Sequence, residues 1–294
     1  MAEVAKRYAV VTGANKGLGF EICKQLASNG ITVVLTARDE KRGLEAVDKL
    51  KQLGLPGHVV FHQLDVNDPA SIVSFEDFIR TQYGKLDILV NNAAIMAGNY
   101  DRAAFEASVA AGEKGNWTRF MTPTDESVAA AIRTNYYGVK GMCEALIPLL
   151  KSSDSARIVN VSTTLGCLQF ISNGWAKGVL SDVESLTEEK VDEVLNQFLE
   201  DFKEGLVETK GWPTFLPGYS VTKAALNAYT RILAKKYPTL YINAVTPGFV
   251  KTDINYNNGL LSVEEGAQSV VKLALLPNGG PSGLFFSRSE VAPF

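Results

Sequence analysis

Short apolar runs recur along the chain, and stretches with apolar residues at helical spacing lie between most of them. A strand requires a run of about four to eight residues, whereas a helix repeats its apolar positions every three or four residues. The runs predict strands at Tyr8–Thr12, Ile31–Thr36, Val59–Leu64, Leu86–Val90, Arg157–Ser162, Tyr241–Val245 and near Leu284–Phe286. The helical patterns include Phe20–Ala27, Pro69–Tyr83, Ser127–Leu150, Thr187–Gly205 and Val263–Leu276. Strands that alternate with helices are typical of a parallel α/β sheet.

The composition and charge are those of an ordinary globular chain. Of the 294 residues, 46% are hydrophobic and 21% are charged, which leaves ample apolar material for a large core. The 29 basic and 32 acidic residues are well mixed and give a net charge of −3. This balance argues against nucleic acid or an anionic membrane as the main partner.

The cysteines and histidines do not predict a disulfide framework or a metal site. Cys23, Cys143 and Cys167 are odd in number and far apart, so we expect reduced thiols. His58 and His62 flank a predicted strand, in which residues four apart stand about 13 Å from each other. The first seven residues contain no long apolar run, so we expect no signal peptide, no membrane helix and a cytoplasmic location.

A glycine-rich turn connects the first predicted strand with the first helical pattern, and it reads Gly13-Ala14-Asn15-Lys16-Gly17-Leu18-Gly19. A strand, a glycine-rich turn and a helix open a dinucleotide-binding fold. The glycines let the backbone approach a pyrophosphate, and the helix N-terminus faces the phosphates. An ordinary loop is the alternative, but the position directly after a strand favours the cofactor.

The end of the second predicted strand indicates which dinucleotide would bind. An acidic residue there would bind a ribose 2′-hydroxyl, whereas an arginine suits a 2′-phosphate. This chain has Ala37 and then Arg38, and Lys16 in the glycine-rich turn adds a second positive charge. We therefore predict NADPH rather than NADH. The alternative is that Arg38 is a solvated charge paired with Asp39 or Glu40.

Tyr219 and Lys223 stand four residues apart in a predicted helix, so their side chains share one face. An isolated phenol has a pKa of about 10 and is a poor proton donor at neutral pH. A neighbouring ammonium group lowers that pKa, which makes the phenol a candidate general acid for a carbonyl oxygen. The spacing alone is weak evidence, because Tyr136 and Lys140 share it.

Five motifs occur in an order that resembles the short-chain dehydrogenase/reductase family. They are T-G-x-x-x-G-x-G from Thr12, N-N-A-A from Asn91, N-V-S-T-T-L-G from Asn160, Y-x-x-x-K from Tyr219 and P-G-x-x-x-T from Pro247. Each motif is weak alone, but together they are specific, and the resemblance covers essentially the whole chain. It implies one domain over residues 1–294, with a doubly wound Rossmann-type parallel sheet and helices on both faces.

The resemblance also implies catalytic roles. Tyr219 would protonate the nascent alkoxide, while Lys223 lowers the pKa of the phenol and holds the cofactor ribose. The serine with which the family orients the carbonyl falls on Thr163 when the motif is counted back from Gly166, and Ser162 is the second choice. Threonine keeps the hydroxyl but adds a methyl group and a stiffer side chain.

Other residues are assigned roles by the same resemblance. Asn135 matches the helix asparagine that holds a water between the catalytic lysine and solvent. Asp65 would contact the adenine, Val250 the carboxamide through its backbone, and Thr252 a phosphate. The predicted cofactor contacts are Gly13, Asn15, Lys16, Gly17, Leu18, Gly19, Arg38, Asp65, Val66, Asn91, Tyr219, Lys223, Pro247, Gly248, Val250 and Thr252. Ala94 departs from the family's usual glycine, and we expect the change to be tolerated.

Two segments are longer than ordinary connections. Residues 95–126 follow the end of a strand, where doubly wound folds bind ligands, so we predict a lid over the substrate. A surface insertion is the alternative. Residues 167–215 resemble an insertion of the family's monomeric carbonyl-reductase branch, particularly its plant ketone reductases. The resemblance implies a monomer, because this insertion covers a surface that oligomeric relatives use for association.

These inferences predict NADPH-dependent reduction of a ketone or aldehyde to an alcohol, without a metal. Apolar residues of the two insertions favour a small hydrophobic substrate, such as a terpenoid or alkaloid carbonyl. One alternative is an enone double-bond reductase, which the intact Tyr219 disfavours. The other is a non-catalytic nucleotide-binding regulator, which Asn135, Tyr219 and Lys223 disfavour and only Thr163 and Ala94 favour.

Overall fold

A single sheet runs through the computed structural model, which describes residues 6–111 and 117–294. Its strands are β1 (Tyr8–Val11), β2 (Thr32–Ala37), β3 (Val59–Gln63), β4 (Ile88–Asn91), β7 (Arg157–Val161), β8 (Tyr241–Thr246), β9 (Phe285–Ser287) and β10 (Glu290–Ala292). A separate antiparallel ribbon joins β5 (Asn99–Tyr100) and β6 (Met121–Thr122). The order across the main sheet is β10-β9-β8-β7-β4-β1-β2-β3, and only β10 runs antiparallel to its neighbour.

Helices connect most of the parallel strands. They are α1 (Gly17–Ser28), α2 (Glu40–Lys51), α3 (Pro69–Tyr83), α4 (Arg102–Ala110), α5 (Asp125–Ile132), α6 (Gly138–Leu150), α7 (Gly174–Ser181), α8 (Glu188–Lys203), α9 (Pro217–Lys236) and α10 (Val263–Ala274). Side-chain oxygens begin several of them by accepting backbone N–H groups, as Asp68 does at α3 and Ser262 at α10. None of the helices in the described ranges is long and apolar enough to cross a membrane.

Helices cover both faces of the sheet, as its apolar strands require. Successive side chains of a strand point to opposite faces. Ala9 and Val11 of β1 therefore pack with α1, α2 and α10, whereas Val10 between them packs with α3, α6 and α9. The result is the predicted doubly wound sheet, and its carboxyl ends lie along one side of the molecule.

The predicted strands are confirmed, with boundaries that shift by at most two residues. Pro69–Tyr83 is helical over the predicted range, and Thr187 caps α8 by accepting the Lys190 N–H at 3.3 Å. The continuous helix predicted over Ser127–Leu150 is wrong in one respect, because a π-helical turn at Arg133–Tyr137 interrupts it. Such turns widen a helix locally and are frequent at functional sites. The ribbon of β5 and β6 was not predicted, because two-residue strands have no detectable period.

The segment 167–215 packs along the helix that carries the predicted catalytic pair. Val191, Val194 and Phe198 on one side of α8 are fully buried, and α8 lies against α9 and α5. The indole N–H of Trp212 donates to the carboxylate of the buried Asp201 at 2.7 Å. The segment therefore forms part of the main core rather than a loose surface extension.

Candidate active site

A cavity of about 870 Å³ lies at the carboxyl ends of the parallel strands. Gly13 follows β1, Arg38 follows β2, Ala93 follows β4, Ser162 follows β7 and Pro247 follows β8, and all of these line the cavity. Doubly wound sheets bind their ligands at this edge, because the loops there diverge to opposite faces. The segments that the sequence analysis assigned to a cofactor thus meet in one place.

The glycine-rich turn has the geometry of a phosphate cradle. Gly13 and Gly17 have φ of +62° and +55°, which glycine adopts without strain. A Cβ at Gly19 would lie 2.6 Å from the side-chain nitrogen of Asn92, so no larger residue fits there. Lys16 precedes α1 without a side-chain cap, which leaves the first N–H groups of the helix for a ligand. These residues fit the diphosphate of a dinucleotide.

Asn92 braces this turn, although the sequence analysis assigned no role to it. Its Nδ2 donates to the carbonyl oxygens of Thr12 at 2.9 Å and Gly13 at 3.1 Å. The predicted contact Asn91 lies elsewhere: it is 2% exposed, and its amide donates to Oδ1 of Asn160 at 2.9 Å inside the sheet. Asn91 is the last residue of β4 and Asn92 is the first residue after it, so the two side chains have different surroundings.

Arg38 is exposed at the cavity wall, as the prediction of a 2′-phosphate site requires. Asp39 pairs with Arg42 instead, and no acidic side chain in the described ranges forms an ion pair with Arg38. The alternative that Arg38 is paired with Asp39 or Glu40 is therefore not what the structure shows. Lys16 also lines the cavity, but its Nζ lies 2.7 Å from the carboxylate of Asp253.

The structure does not bring the side chain of Asp65 to the cavity wall. Its Oδ1 accepts the backbone N–H of Asn67 at 2.9 Å and so stabilises the turn after β3. Its neighbours Leu64, Val66 and Asn67 do line the cavity. Val66 therefore lines the cavity, and the predicted cofactor contacts of Val66 and Asp65 stay predictions.

Tyr219 and Lys223 lie in the first two turns of α9, and both line the cavity. Lys223 is 2% exposed, and its Nζ donates to the carbonyl oxygen of Val161 at 2.8 Å. The same Nζ lies 5.8 Å from the centre of the Tyr219 ring. The other pair with this spacing, Tyr136 and Lys140, has a structural role. Tyr136 is fully buried, and Lys140 forms ion pairs with acidic residues of α8.

Burial raises the pKa of Tyr219 and lowers the pKa of Lys223, so it favours the neutral form of both groups. The predicted net lowering of the Tyr219 pKa is wrong for this chain on its own, because desolvation raises it to about 12, and the separate effect of Lys223 on the phenol stays a prediction. Desolvation also lowers the pKa of Lys223 to about 7, because an ammonium group loses hydration in the closed site. Tyr219 is therefore a neutral hydroxyl at physiological pH, and Lys223 titrates within the physiological range.

This shift predicts how stability depends on pH. The pKa of Lys223 falls from 10.5 to about 7 on folding, so between these values the unfolded chain binds more protons than the folded chain. The free energy of unfolding should then rise with pH above about 7, by at most about 1.4 kcal/mol per pH unit from this residue. Lys223→Met should remove that part of the slope in urea unfolding of the cofactor-free chain at pH 6 to 9.

The matched control for this experiment is Lys177→Met, which replaces an exposed lysine on α7. We expect the control to keep the slope of the unchanged chain. Parallel stability curves for Lys223→Met and the unchanged chain would show that the ammonium of Lys223 is not desolvated on folding.

Thr163 and Ser162 both contribute to the cavity wall, but they differ in exposure. The Ser162 hydroxyl is enclosed and has no hydrogen-bond partner among the described residues. Thr163 is half-buried, and its Oγ1 accepts the Leu165 N–H at 3.4 Å. Thr163 is therefore the more exposed of the two residues, and the choice between the two hydroxyls stays a prediction.

Asn135 lies in the π-helical turn and is fully buried, so it does not line the cavity. Its Oδ1 accepts the Ile95 N–H at 2.9 Å, and its Nδ2 donates to the Ile95 carbonyl at 3.0 Å. The same Nδ2 lies 3.2 Å from Oγ1 of Thr222, which donates to the Tyr219 carbonyl at 2.9 Å. Asn135 thus ties the segment after β4 to the helix of Tyr219, and its predicted role in a water path stays a prediction.

The loop after β8 forms the wall that the sequence analysis assigned to the nicotinamide. Pro247, Gly248, Val250 and Thr252 all line the cavity. The carbonyl of Val250 accepts the side-chain amide of Asn255 at 2.7 Å, whereas its N–H makes no hydrogen bond to any described residue. A contact between this N–H and a carboxamide stays a prediction.

The predicted lid contributes part of the cavity wall. Ile95, Met96 and Thr118 line the cavity, while residues 112–116 of this segment lie outside the described ranges. The Tyr100 ring stacks on Tyr256 at 3.3 Å between centroids, so the segment contacts the loop after β8. Ala94 is not among the residues with positive φ, which explains how alanine replaces the usual glycine.

Comparisons with known proteins agree with this arrangement. The family model for short chain dehydrogenase matches residues 7–175. The chain is 60% identical to the (+)-neomenthol dehydrogenase of Arabidopsis thaliana, and the match covers 100% of both chains. The structure of salutaridine reductase from Papaver somniferum is similar with a TM-score of 0.91 and 51% identity, over 96% of this chain and 99% of that one. Menthone neomenthol reductase from Mentha piperita gives a TM-score of 0.84 and 52% identity, over 98% of this chain and 100% of that one.

The fold and the site define an oxidoreductase. The chain belongs to the short-chain dehydrogenase family. The predicted resemblance to plant ketone reductases is confirmed by the same similarities.

Proposed function

We propose that this chain is an NADPH-dependent reductase that converts a ketone or aldehyde into an alcohol. The observation that carries the proposal is the meeting of Tyr219, Lys223 and Thr163 in the cavity that also contains the glycine-rich turn. Relatives named neomenthol dehydrogenase, menthone neomenthol reductase and salutaridine reductase support a small hydrophobic terpenoid or alkaloid substrate. Apolar side chains of Met96, Leu165 and Phe249 at the wall fit such a substrate.

The residues of the chain would handle the carbonyl oxygen and the proton. A bound nicotinamide supplies the hydride to the carbonyl carbon. Tyr219 stays protonated at neutral pH because its pKa is raised to about 12, and its phenol donates the proton that turns the nascent alkoxide into an alcohol. Solvent then restores the proton on Tyr219. The hydroxyl of Thr163 holds the carbonyl oxygen as negative charge develops on it.

Lys223 would support this transfer in two ways. Its hydrogen bond to Val161 holds the side chain beside the Tyr219 ring. When Lys223 is protonated, its charge favours the phenolate that remains after proton donation. Its pKa of about 7 places this charge within the working range, so reduction should weaken as pH rises through that value.

The proposed preference for NADPH rests on Arg38. We expect Arg38→Asp to shift the ratio of kcat/KM for NADPH over NADH by at least about tenfold towards NADH. The change removes a charge-assisted contact to the 2′-phosphate and supplies an acceptor for a 2′-hydroxyl. Steady-state kinetics with both cofactors measure the ratio.

The control variant Arg80→Asp makes the same change of charge on the exposed side of α3, outside the cavity. It should leave the cofactor ratio unchanged. If Arg38→Asp leaves the ratio unchanged as well, Arg38 does not recognise the 2′-phosphate.

The proposed reaction is tested by NADPH consumption with cyclic ketones, aldehydes and enones, followed by product analysis. An alcohol from a saturated ketone supports carbonyl reduction. A saturated ketone from an enone, without any alcohol, would establish the double-bond reductase instead. Cofactor binding without turnover of any member of the panel would favour the regulator.

The proposal includes a monomer. The α8 helix buries its apolar side against α9 and α5, and Lys140 and Lys236 form ion pairs with Glu188 on it. A second copy therefore has no access to this side of α9. Light scattering should give the mass of one chain, and the mass of a dimer or tetramer would contradict this part of the proposal.

A further inference from the structure

Leu216, directly before α9, has an unusual backbone. Its φ of 46° and ψ of 56° lie in the left-handed region, which residues other than glycine, asparagine and aspartate rarely adopt. The next residue is Pro217, and a residue before proline normally adopts an extended conformation. Leucine at this position is therefore conformationally strained.

The surroundings of Leu216 hold it in this conformation. Its carbonyl accepts the backbone N–H of Ser220 at 2.9 Å, and the Ser220 hydroxyl donates to the Phe215 carbonyl at 3.1 Å. Two residues further, Gly218 lies so close to Ala97 that a Cβ would come within 2.5 Å of the alanine methyl. The chain is fixed on both sides of Leu216, so the local strain cannot relax by a small rotation.

Leu216 lines the active-site cavity three residues before Tyr219. Glycine would adopt the same backbone without strain, but it would leave this part of the wall without a side chain. Strained residues cluster at functional cavities, where the strain tends to serve the function. The large apolar side chain is the feature that glycine could not provide.

We infer that Leu216 is a specificity-determining residue, which holds substituted cyclic ketones in position beside Tyr219. Its side chain would pack on an alkyl group next to the carbonyl, so that a bulky ring is oriented while a small ring gains little. This inference rests on the proposed carbonyl reduction. One methylene group more or less in a hydrophobic pocket changes substrate discrimination by about 10- to 200-fold.

The test compares Leu216→Gly and Leu216→Ala with the unchanged chain. Discrimination is the ratio of kcat/KM for a branched-alkyl cyclohexanone over unsubstituted cyclohexanone. We expect both variants to lose about tenfold or more of this ratio. Thermal unfolding of the cofactor-free chain measures strain, and here Leu216→Gly should be at least as stable as Leu216→Ala, because only glycine accepts the left-handed backbone freely.

The matched control makes the same replacements at Leu44, which is exposed and lies inside α2. There the usual order should hold, with Leu44→Ala more stable than Leu44→Gly and with discrimination unchanged. A discrimination ratio that stays the same in both Leu216 variants would overturn the specificity role. A Leu216→Gly variant that is less stable than Leu216→Ala would show that the backbone is not strained there.

Measurements on the unchanged chain distinguish a failure of the proposed function from a failure of the Leu216 role. If it reduces no ketone with NADPH, the proposed function fails and this inference fails with it. If it reduces ketones but Leu216→Gly discriminates as before, only the role of Leu216 is refuted.

Discussion

Tyr219→Phe should lower kcat for carbonyl reduction by about 10²–10⁴-fold, the usual contribution of a general acid. The substitution removes the phenolic hydroxyl and keeps the ring that lines the cavity. Burial keeps that hydroxyl protonated, since the pKa of Tyr219 is raised to about 12. No other tyrosine lines the cavity in the described ranges, so no second phenol replaces it.

Fluorescence titration with NADPH provides the readout that separates chemistry from folding. The Kd of Tyr219→Phe should stay within about tenfold of the unchanged chain, because one hydroxyl contact contributes about 0.5–1.5 kcal/mol. The control is Tyr83→Phe at the end of α3, which stacks on Tyr8 at the start of β1, away from the cavity. Full turnover by Tyr219→Phe would contradict the proposed mechanism.

Thr163→Val should lower kcat by about 10²-fold, because a hydrogen bond to the developing oxyanion is lost. Valine keeps the branched shape and removes only the hydroxyl. Ser162→Ala should cost far less, because the Ser162 hydroxyl is enclosed whereas Thr163 is half-buried at the cavity wall. Thr163→Ser should stay active, since it restores the hydroxyl without the methyl group.

The comparison of these variants also tests the register of the motif. Single-turnover measurements at saturating NADPH isolate the chemical step from product release. A greater loss for Ser162→Ala than for Thr163→Val would place the carbonyl at Ser162, one residue earlier than the motif indicates. Equal, small losses would mean that neither hydroxyl contacts the reacting oxygen.

The succession of strands and helices was predictable because each long element has its own period. An apolar run such as Val33–Leu35 and a helical repeat such as that of α3 are local properties, and packing did not change them. The ribbon of β5 and β6 and the π-helical turn lacked such signals. Short strands show no period, and the π-helical turn inserts one widened turn into an otherwise continuous pattern.

The candidate site was predictable where the chemistry depends on residue type and spacing. Each of these features depends only on nearby residues: the glycines at positive φ, Arg38 after a strand, and Tyr219 one turn before Lys223. The motif could not distinguish Asn91 from Asn92, because their roles depend on where β4 ends and what each side chain then contacts. The amide of Asn91 pairs with Asn160 across the sheet, whereas Asn92 braces the glycine-rich turn.

By itself, the sequence determined the doubly wound fold and most of the residues that meet at one edge of its sheet, since the succession of strands and the positions of the loops follow from local periods and turns. The predicted site residues Asp65, Asn91 and Asn135 lie outside the cavity wall. Only the tertiary structure decided the protonation and the backbone conformation of the residues at that edge. Enclosure lowers the pKa of Lys223 to about 7 and raises that of Tyr219 to about 12, because desolvation depends on everything packed around a group. Contacts of the residues before and after Leu216 likewise hold it in a left-handed conformation, which no residue pattern predicts.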